Sequence, residues 1–243
     1  MKHKKLIVFC LLCFVIYLIY SCFHTNKINY LSLGDSLSLG INAYGDVSYG
    51  YSDYLALYLD RKQVLGGYSK DFSISGSRIS DLQHQLDTNQ HITVNDSDLS
   101  LKKCLRESDL VTLSIGANDL ISAINMSTID IETLQEEDVI KIIDDLDKNL
   151  EQLFKELRKY AKKEIIFIGY YYPYQEPSLM IDRMFSYLND KLEDSCTKYD
   201  ITYINTYYGF KNNPSFLPNP TNIHPGPDGY QAIANLIVKK LKL

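Results

Sequence analysis

The sequence predicts an α/β protein, with a parallel sheet held between two layers of helices. Two observations carry that expectation. Short β-like runs, at residues 30–33, 71–74, 110–115, 164–169 and 201–205, alternate with helical stretches. Several of the runs, such as Ile165-Ile166-Phe167-Ile168, are nearly unbroken in apolar residues, as in central strands covered on both faces. At 243 residues, 45% hydrophobic and 23% charged, the chain is long enough for one domain of this kind with a full core. No repeat, low-complexity tract or internal linker divides it.

The helices between the runs have distinct faces. Val139, Ile142, Ile143, Leu146, Leu150, Leu153 and Leu157 recur at three- and four-residue spacing, with Lys141, Asp144, Glu151 and Lys155 opposite. Ile181, Met184, Phe185, Leu188 and Leu192 repeat the pattern, and the last helix carries Tyr230, Ile233, Ile237 and Leu241. Such stripes are core faces. In a parallel sheet of this kind a ligand crevice lies outside the carboxyl ends of the strands.

The first 26 residues differ from the rest. Lys2, Lys4 and Lys5 precede an apolar stretch over residues 6–23, after which polar residues return. A basic start followed by such a stretch reads as an export signal or membrane anchor, basic end inside and domain outside. No small-x-small cleavage site stands out, which favours a retained anchor; Ile19-Tyr20-Ser21-Cys22 loosely resembles a lipoprotein box in which Cys22 is lipidated. The division is therefore residues 1–26 as anchor and 27–243 as the functional domain.

The net charge is −5, and leaving out the three leader lysines makes the remainder −8. That excludes a nucleic-acid binder, which needs basic clusters, and a basic face for anionic membrane. Of five cysteines only Cys104 and Cys196 lie in the domain; they form either a disulfide or two buried free thiols. No Cys or His spacing resembles a zinc site, so no metal is expected.

Four separated segments carry chemistry. After the first run comes Gly34-Asp35-Ser36-Leu37-Ser38-Leu39-Gly40. A strand that turns tightly into a helix exposes the turn side chain and leaves free N–H groups beside it, which suits a nucleophilic serine and its oxyanion. Ser75-Gly76-Ser77 follows the second run, and Gly76 is able to bring its N–H close to a ligand. Gly116-Ala117-Asn118-Asp119 follows the third, and the Asn118 amide is a neutral donor suited to an oxyanion. Asn219 to Tyr230 is a Pro- and Gly-rich loop holding His224, with Pro227 in the first turn of the final helix. His224 is the general-base candidate, since His84 and His91 fall in polar surface segments. Taken singly, each segment also reads as ordinary turn or capping material.

In this order the four segments resemble the motifs of the SGNH hydrolases, the GDSL family of lipases and esterases. Gly34–Leu37 matches the first motif, Gly76 the second, Gly116-x-Asn118-Asp119 the third and His224-Pro225 the last, so the resemblance spans residues 28–243. It implies a three-layer α/β/α sandwich with a flavodoxin-like sheet. It also implies Ser36 as nucleophile, His224 as base, and the Ser36 N–H, Gly76 N–H and Asn118 side chain as oxyanion donors. Neither metal nor organic cofactor is called for. One position departs from the family: the residue three before the histidine, usually Asp, is Thr221, followed by Asn222, and no acid occurs between Asp200 and Asp228. Thr221, Asn222, a backbone carbonyl or a distant acid are the candidates to hold the far ring nitrogen.

The expectation is an extracytoplasmic ester hydrolase, anchored through its N-terminal segment and acting on a small-molecule ester. Lipid-like acyl esters and lysophospholipids come first, acetylated glycans second. A non-catalytic module binding envelope glycan or lipid is the competing class, and p-nitrophenyl ester hydrolysis separates the two. A flavin or nucleotide binder is disfavoured, because Gly34–Gly40 lacks the glycine density and lysine of a phosphate loop. The twenty tyrosines, Tyr170-Tyr171-Tyr172 after the fourth run among them, are either pocket lining for an acyl group or sugar or amphipathic packing, and residues 121–137 are a candidate lid or pocket wall.

Overall fold

A computed structural model describes residues 27–124, 135–173 and 178–243. Its centre is a five-stranded, wholly parallel sheet of β1 (Ile28–Gly34), β2 (Leu65–Ser69), β5 (Leu110–Ser114), β6 (Glu164–Ile168) and β7 (Thr202–Ile204). The spatial order is β2-β1-β5-β6-β7. After β2 the chain crosses back over β1 and continues on its other side, so the order reverses between β1 and β5. This is the flavodoxin-like arrangement, and its crevice opens at that reversal.

Alternation along the strands sends neighbours to opposite faces. Leu31, Leu33, Val111, Leu113, Ile165 and Phe167 join one core, beneath α3 (Ile79–Asp87), α4 (Leu101–Glu107), α6 (Glu136–Tyr160) and α7 (Leu179–Lys198). Tyr30, Leu110, Ile166, Ile168 and Ile204 join the other, beneath α2 (Tyr51–Arg61) and α9 (Pro227–Leu241). The expected apolar stripes are these buried faces. On α6, Glu136, Glu137 and Asp138 occupy the first turn and Arg158 and Lys159 the last, complementing the helix dipole.

The structure corrects the reading of residues 71–74 as a strand. That segment is a turn laid over the end of β1: Ile74 N–H donates to the Gly34 carbonyl and the Ser73 hydroxyl to the Ser32 carbonyl. The edge strand is Leu65–Ser69, whose Gly66-Gly67 carries no apolar signal. Gly66 is needed there because a Cβ would press on Asn29 Oδ1. A hairpin of β3 (His91–Val94) and β4 (Ser97–Ser100) stands apart from the main sheet. Cys104 and Cys196 are free thiols, and burial raises the pKa of both.

Residues 1–26 and the middle of segment 121–137 lie outside the described residues. Among the described residues no helix is long and apolar enough to cross a membrane.

Candidate active site

The first turn beyond the sheet fixes Ser36. β1 ends at Gly34, and α1 (Ser36–Leu39) begins two residues later with Asp35 as its N-cap. Asp35 Oδ1 accepts from the Leu37 N–H at 3.0 Å and from the Ser114 hydroxyl at 2.6 Å, tying the turn to β5. Gly34 has φ of +131°, and any Cβ there would overlap the Ser114 carbonyl. Only glycine allows the two strand ends to approach this closely. Ser36 therefore sits half-buried at the start of a helix, with its own N–H without a partner among the described residues.

The loop before α9 brings in His224. Its course is set by short polar contacts. Asn219 Nδ2 donates to the Ala43 carbonyl, Asn222 N–H to the Asn219 carbonyl, and Tyr171 Oη to the Ile223 carbonyl, at 2.8, 3.1 and 2.8 Å. Pro227 occupies the first turn of α9, as expected. His224 Nε2 lies 2.8 Å from Ser36 Oγ, bridging residues 188 apart in sequence.

On the far side of the ring, Asn222 Oδ1 lies 2.7 Å from His224 Nδ1 and 3.0 Å from the His224 backbone nitrogen. The backbone N–H is a donor only, so the atom it meets is the amide oxygen and not the nitrogen. That oxygen in turn requires a proton on Nδ1. Nε2 is thereby left as the acceptor, and the Ser36 hydroxyl donates to it. The tautomer needed to take a proton from serine is set by an Asx turn with no carboxylate. Burial alone pulls the His224 pKa below 6.5. Thr221, at the family's Asp position, is exposed and turned away, its hydroxyl donating to Asn219 Oδ1 at 2.8 Å.

The second and third segments are braced to each other. Asn118 Nδ2 donates one hydrogen to the Ser77 carbonyl at 2.9 Å, and its second hydrogen has no partner among the described residues. Asp119 Oδ2 accepts from the Ile79 N–H at 3.1 Å. Between these contacts Gly76 adopts φ of +82°, with open space where a Cβ would stand and an N–H without a partner among the described residues. Behind the site the Asp35 carboxyl is pushed up to about 6 by burial, opposed by the hydrogen bonds from Ser114 and Leu37.

Ser36, Asn118 and His224 border a single cavity of about 150 Å³; Gly76 stands at the exposed surface and does not line it. Among the described residues the cavity walls are almost wholly apolar and come from α5 (Ala117–Ile124), α6, α7 and the segment 170–173 after β6. Ile121 and Ile124 supply part of that wall from within the segment expected to form one. Tyr170, Tyr171 and Tyr172 line the cavity too, one of the two roles expected of that run. The hold of Tyr171 on the Ile223 carbonyl and the buried carboxyl of Asp35 had no sequence signal. Asp35 reads in the sequence as a simple cap. His91 faces solvent, bonded to Asp98 across the β3–β4 hairpin at 2.8 Å. Among the described residues, no three His, Cys, Asp or Glu side chains converge as metal ligands.

A parallel sandwich with a serine–histidine pair at its switch point defines a serine hydrolase of α/β architecture. The chain belongs to the GDSL-like lipase/acylhydrolase family, whose model matches residues 30–237, and it is a carboxylic ester hydrolase. It is 24% identical to the uncharacterized protein YpmR of Bacillus subtilis (strain 168) over 222 residues, 87% of this chain and 80% of that one. In fold it is similar to the lipase Lip_vut3 from a goat rumen metagenome (TM-score 0.70, 21% identity, 88% and 97% of the two chains). It is also similar to the acetylxylan esterase Axe2 of Geobacillus stearothermophilus (TM-score 0.62, 18% identity, 90% and 96%).

Proposed function

We propose that the protein hydrolyses acyl esters through a covalent acyl-Ser36 intermediate. The 2.8 Å contact between Ser36 Oγ and His224 Nε2, with the ring's tautomer held by Asn222, carries the reading. His224 takes the hydroxyl proton as Ser36 attacks the ester carbonyl, and Asn222 accepts a hydrogen bond from the imidazolium that forms. The oxyanion is met by the Ser36 and Gly76 N–H groups and by the second amide hydrogen of Asn118. His224 then protonates the departing alcohol. Water, activated by the same ring, releases the acid and restores the serine.

The substrates are lipid-like acyl esters, a class supported by the apolar cavity beside the serine. The protein acts outside the cytoplasm, held by the apolar segment at residues 6–23; the three lysines before that segment support this orientation. The reading is tested with p-nitrophenyl butyrate and purified wild type, Ser36→Ala and His224→Ala. Wild-type turnover with losses of at least ~10³-fold in both variants is expected. Equal background rates in all three would refute it.

A further inference from the structure

We infer that the cavity beside Ser36 is an acyl pocket that selects medium-length saturated chains, and that Ile143 and Leu188 form its floor. The inference rests on the acyl-Ser36 reading and adds the chain length and the residues that set it.

Shape and lining point the same way. The reacting groups gather at one end, at the carboxyl ends of β1 and β5, while the walls are built from three helices and the segment 170–173. Met180, Met184 and Leu188 recur at four-residue spacing and so lie along one face of α7, which runs away from the site end of the sheet. Ile143 on α6 lines the cavity opposite, and both Ile143 and Leu188 are 3% exposed. The stripe on each helix thus does two jobs. Its lower part packs core, and its upper part faces an opening.

The polar groups in that wall are already engaged. The hydroxyls of Ser114, Tyr170 and Tyr171 are spent on Asp35, the Ile115 carbonyl and the Ile223 carbonyl. A sugar ring placed there would lose its water and gain few partners, which is costly. An acetyl group would leave most of the space unfilled. A cavity of about 150 Å³ lined by aliphatic side chains holds a guest the size of benzene. That corresponds to an acyl tail of roughly six carbons.

Each methylene that enters such a wall raises kcat/KM by roughly three- to fourfold, until the floor is met. The test is kcat/KM of the full-length chain for saturated p-nitrophenyl esters from acetate to palmitate, in wild type, Leu188→Phe and Leu188→Ala. The readout is the ratio between esters, which is independent of the folded fraction of each variant. Wild type is expected to rise from acetate to hexanoate and then level or fall. Leu188→Phe lowers the hexanoate-to-acetate ratio at least tenfold, and Leu188→Ala moves the optimum to longer chains. Acetate hydrolysis with a flat or falling series, or ratios unmoved by either substitution, overturns the pocket while leaving the esterase reading intact. No hydrolysis of any ester by wild type overturns both.

Discussion

Asn222 holds His224 at two points with one atom: its Oδ1 accepts from the backbone N–H and from the ring Nδ1–H of the same residue. The turn that places the histidine also sets its protonation. A carboxylate in that position would add a charge to stabilise the imidazolium and would raise the ring's pKa. The amide fixes direction without adding charge.

The first prediction follows from that difference. The acid limb of kcat/KM reports the His224 pKa, which burial places below 6.5, so the midpoint of that limb should fall below pH 6.5. Asn222→Asp should move the limb to higher pH, because a carboxylate favours the charged ring. Asn222→Ala should lower kcat about tenfold, the kinetic equivalent of one hydrogen bond of ~1.5 kcal/mol. Thr221→Ala should leave both unchanged, since its hydroxyl serves Asn219. A pH–rate profile of the three variants checks all of this, and an unmoved limb in Asn222→Asp would contradict it.

Asn118 supplies a second. One amide hydrogen holds the Ser77 carbonyl and the other, without a partner among the described residues, meets the oxyanion. Removing an oxyanion donor costs about 10²- to 10³-fold in kcat with KM little changed. Asn118→Ala should show that split with acetate and butyrate esters. A loss confined to KM would assign Asn118 to ground-state binding instead.

Asp35 supplies a third, in stability. Its folded pKa of about 6 lies above its ordinary value of 3.8, so the folded state holds the proton more tightly than the unfolded one. Its stabilising effect is complete below pH 3.8 and is lost as pH rises through 6, by about 3 kcal/mol in all. His224, with a lowered pKa, works oppositely, weakening the fold as pH falls below 6.5. The substitution Asp35→Asn keeps an oxygen for the Leu37 N–H and the Ser114 hydroxyl and removes the charge. That variant should therefore gain stability relative to wild type between pH 4 and 7, as measured by urea denaturation across that range. A constant difference would refute the buried-carboxyl assignment.

Much of this was legible in the sequence, and the remainder was hidden for identifiable reasons. Nearly unbroken apolar runs marked β5 and β6, because central parallel strands are covered on both sides. The edge strand at Leu65–Ser69 was missed because Gly66, which lies close to Asn29, and Gly67 bury no side chain and so leave no apolar pattern. Residues 71–74 misled because Phe72 is buried, as in a strand, yet its backbone turns. Ser36 and His224 stood out through the glycines and prolines that shape their loops. Asn222 did not stand out from Thr221, since spacing alone cannot say which side chain an Asx turn aims at the ring. Part of the cavity wall was foreseen, in residues 121–137 and Tyr170-Tyr171-Tyr172, but the share of α6 and α7 was hidden for a similar reason. Three- and four-residue spacing marks an apolar face, but not the part of it left without a packing partner.

The central claim is that Ser36 is the nucleophile and His224 its base. It is tested most directly by intact-mass and peptide-mass measurement after treatment with a fluorophosphonate ester. Wild type should gain one adduct, on Ser36; Ser36→Ala should gain none, and His224→Ala should label much more slowly. An adduct on any other residue, or equal labelling of wild type and Ser36→Ala, would contradict it.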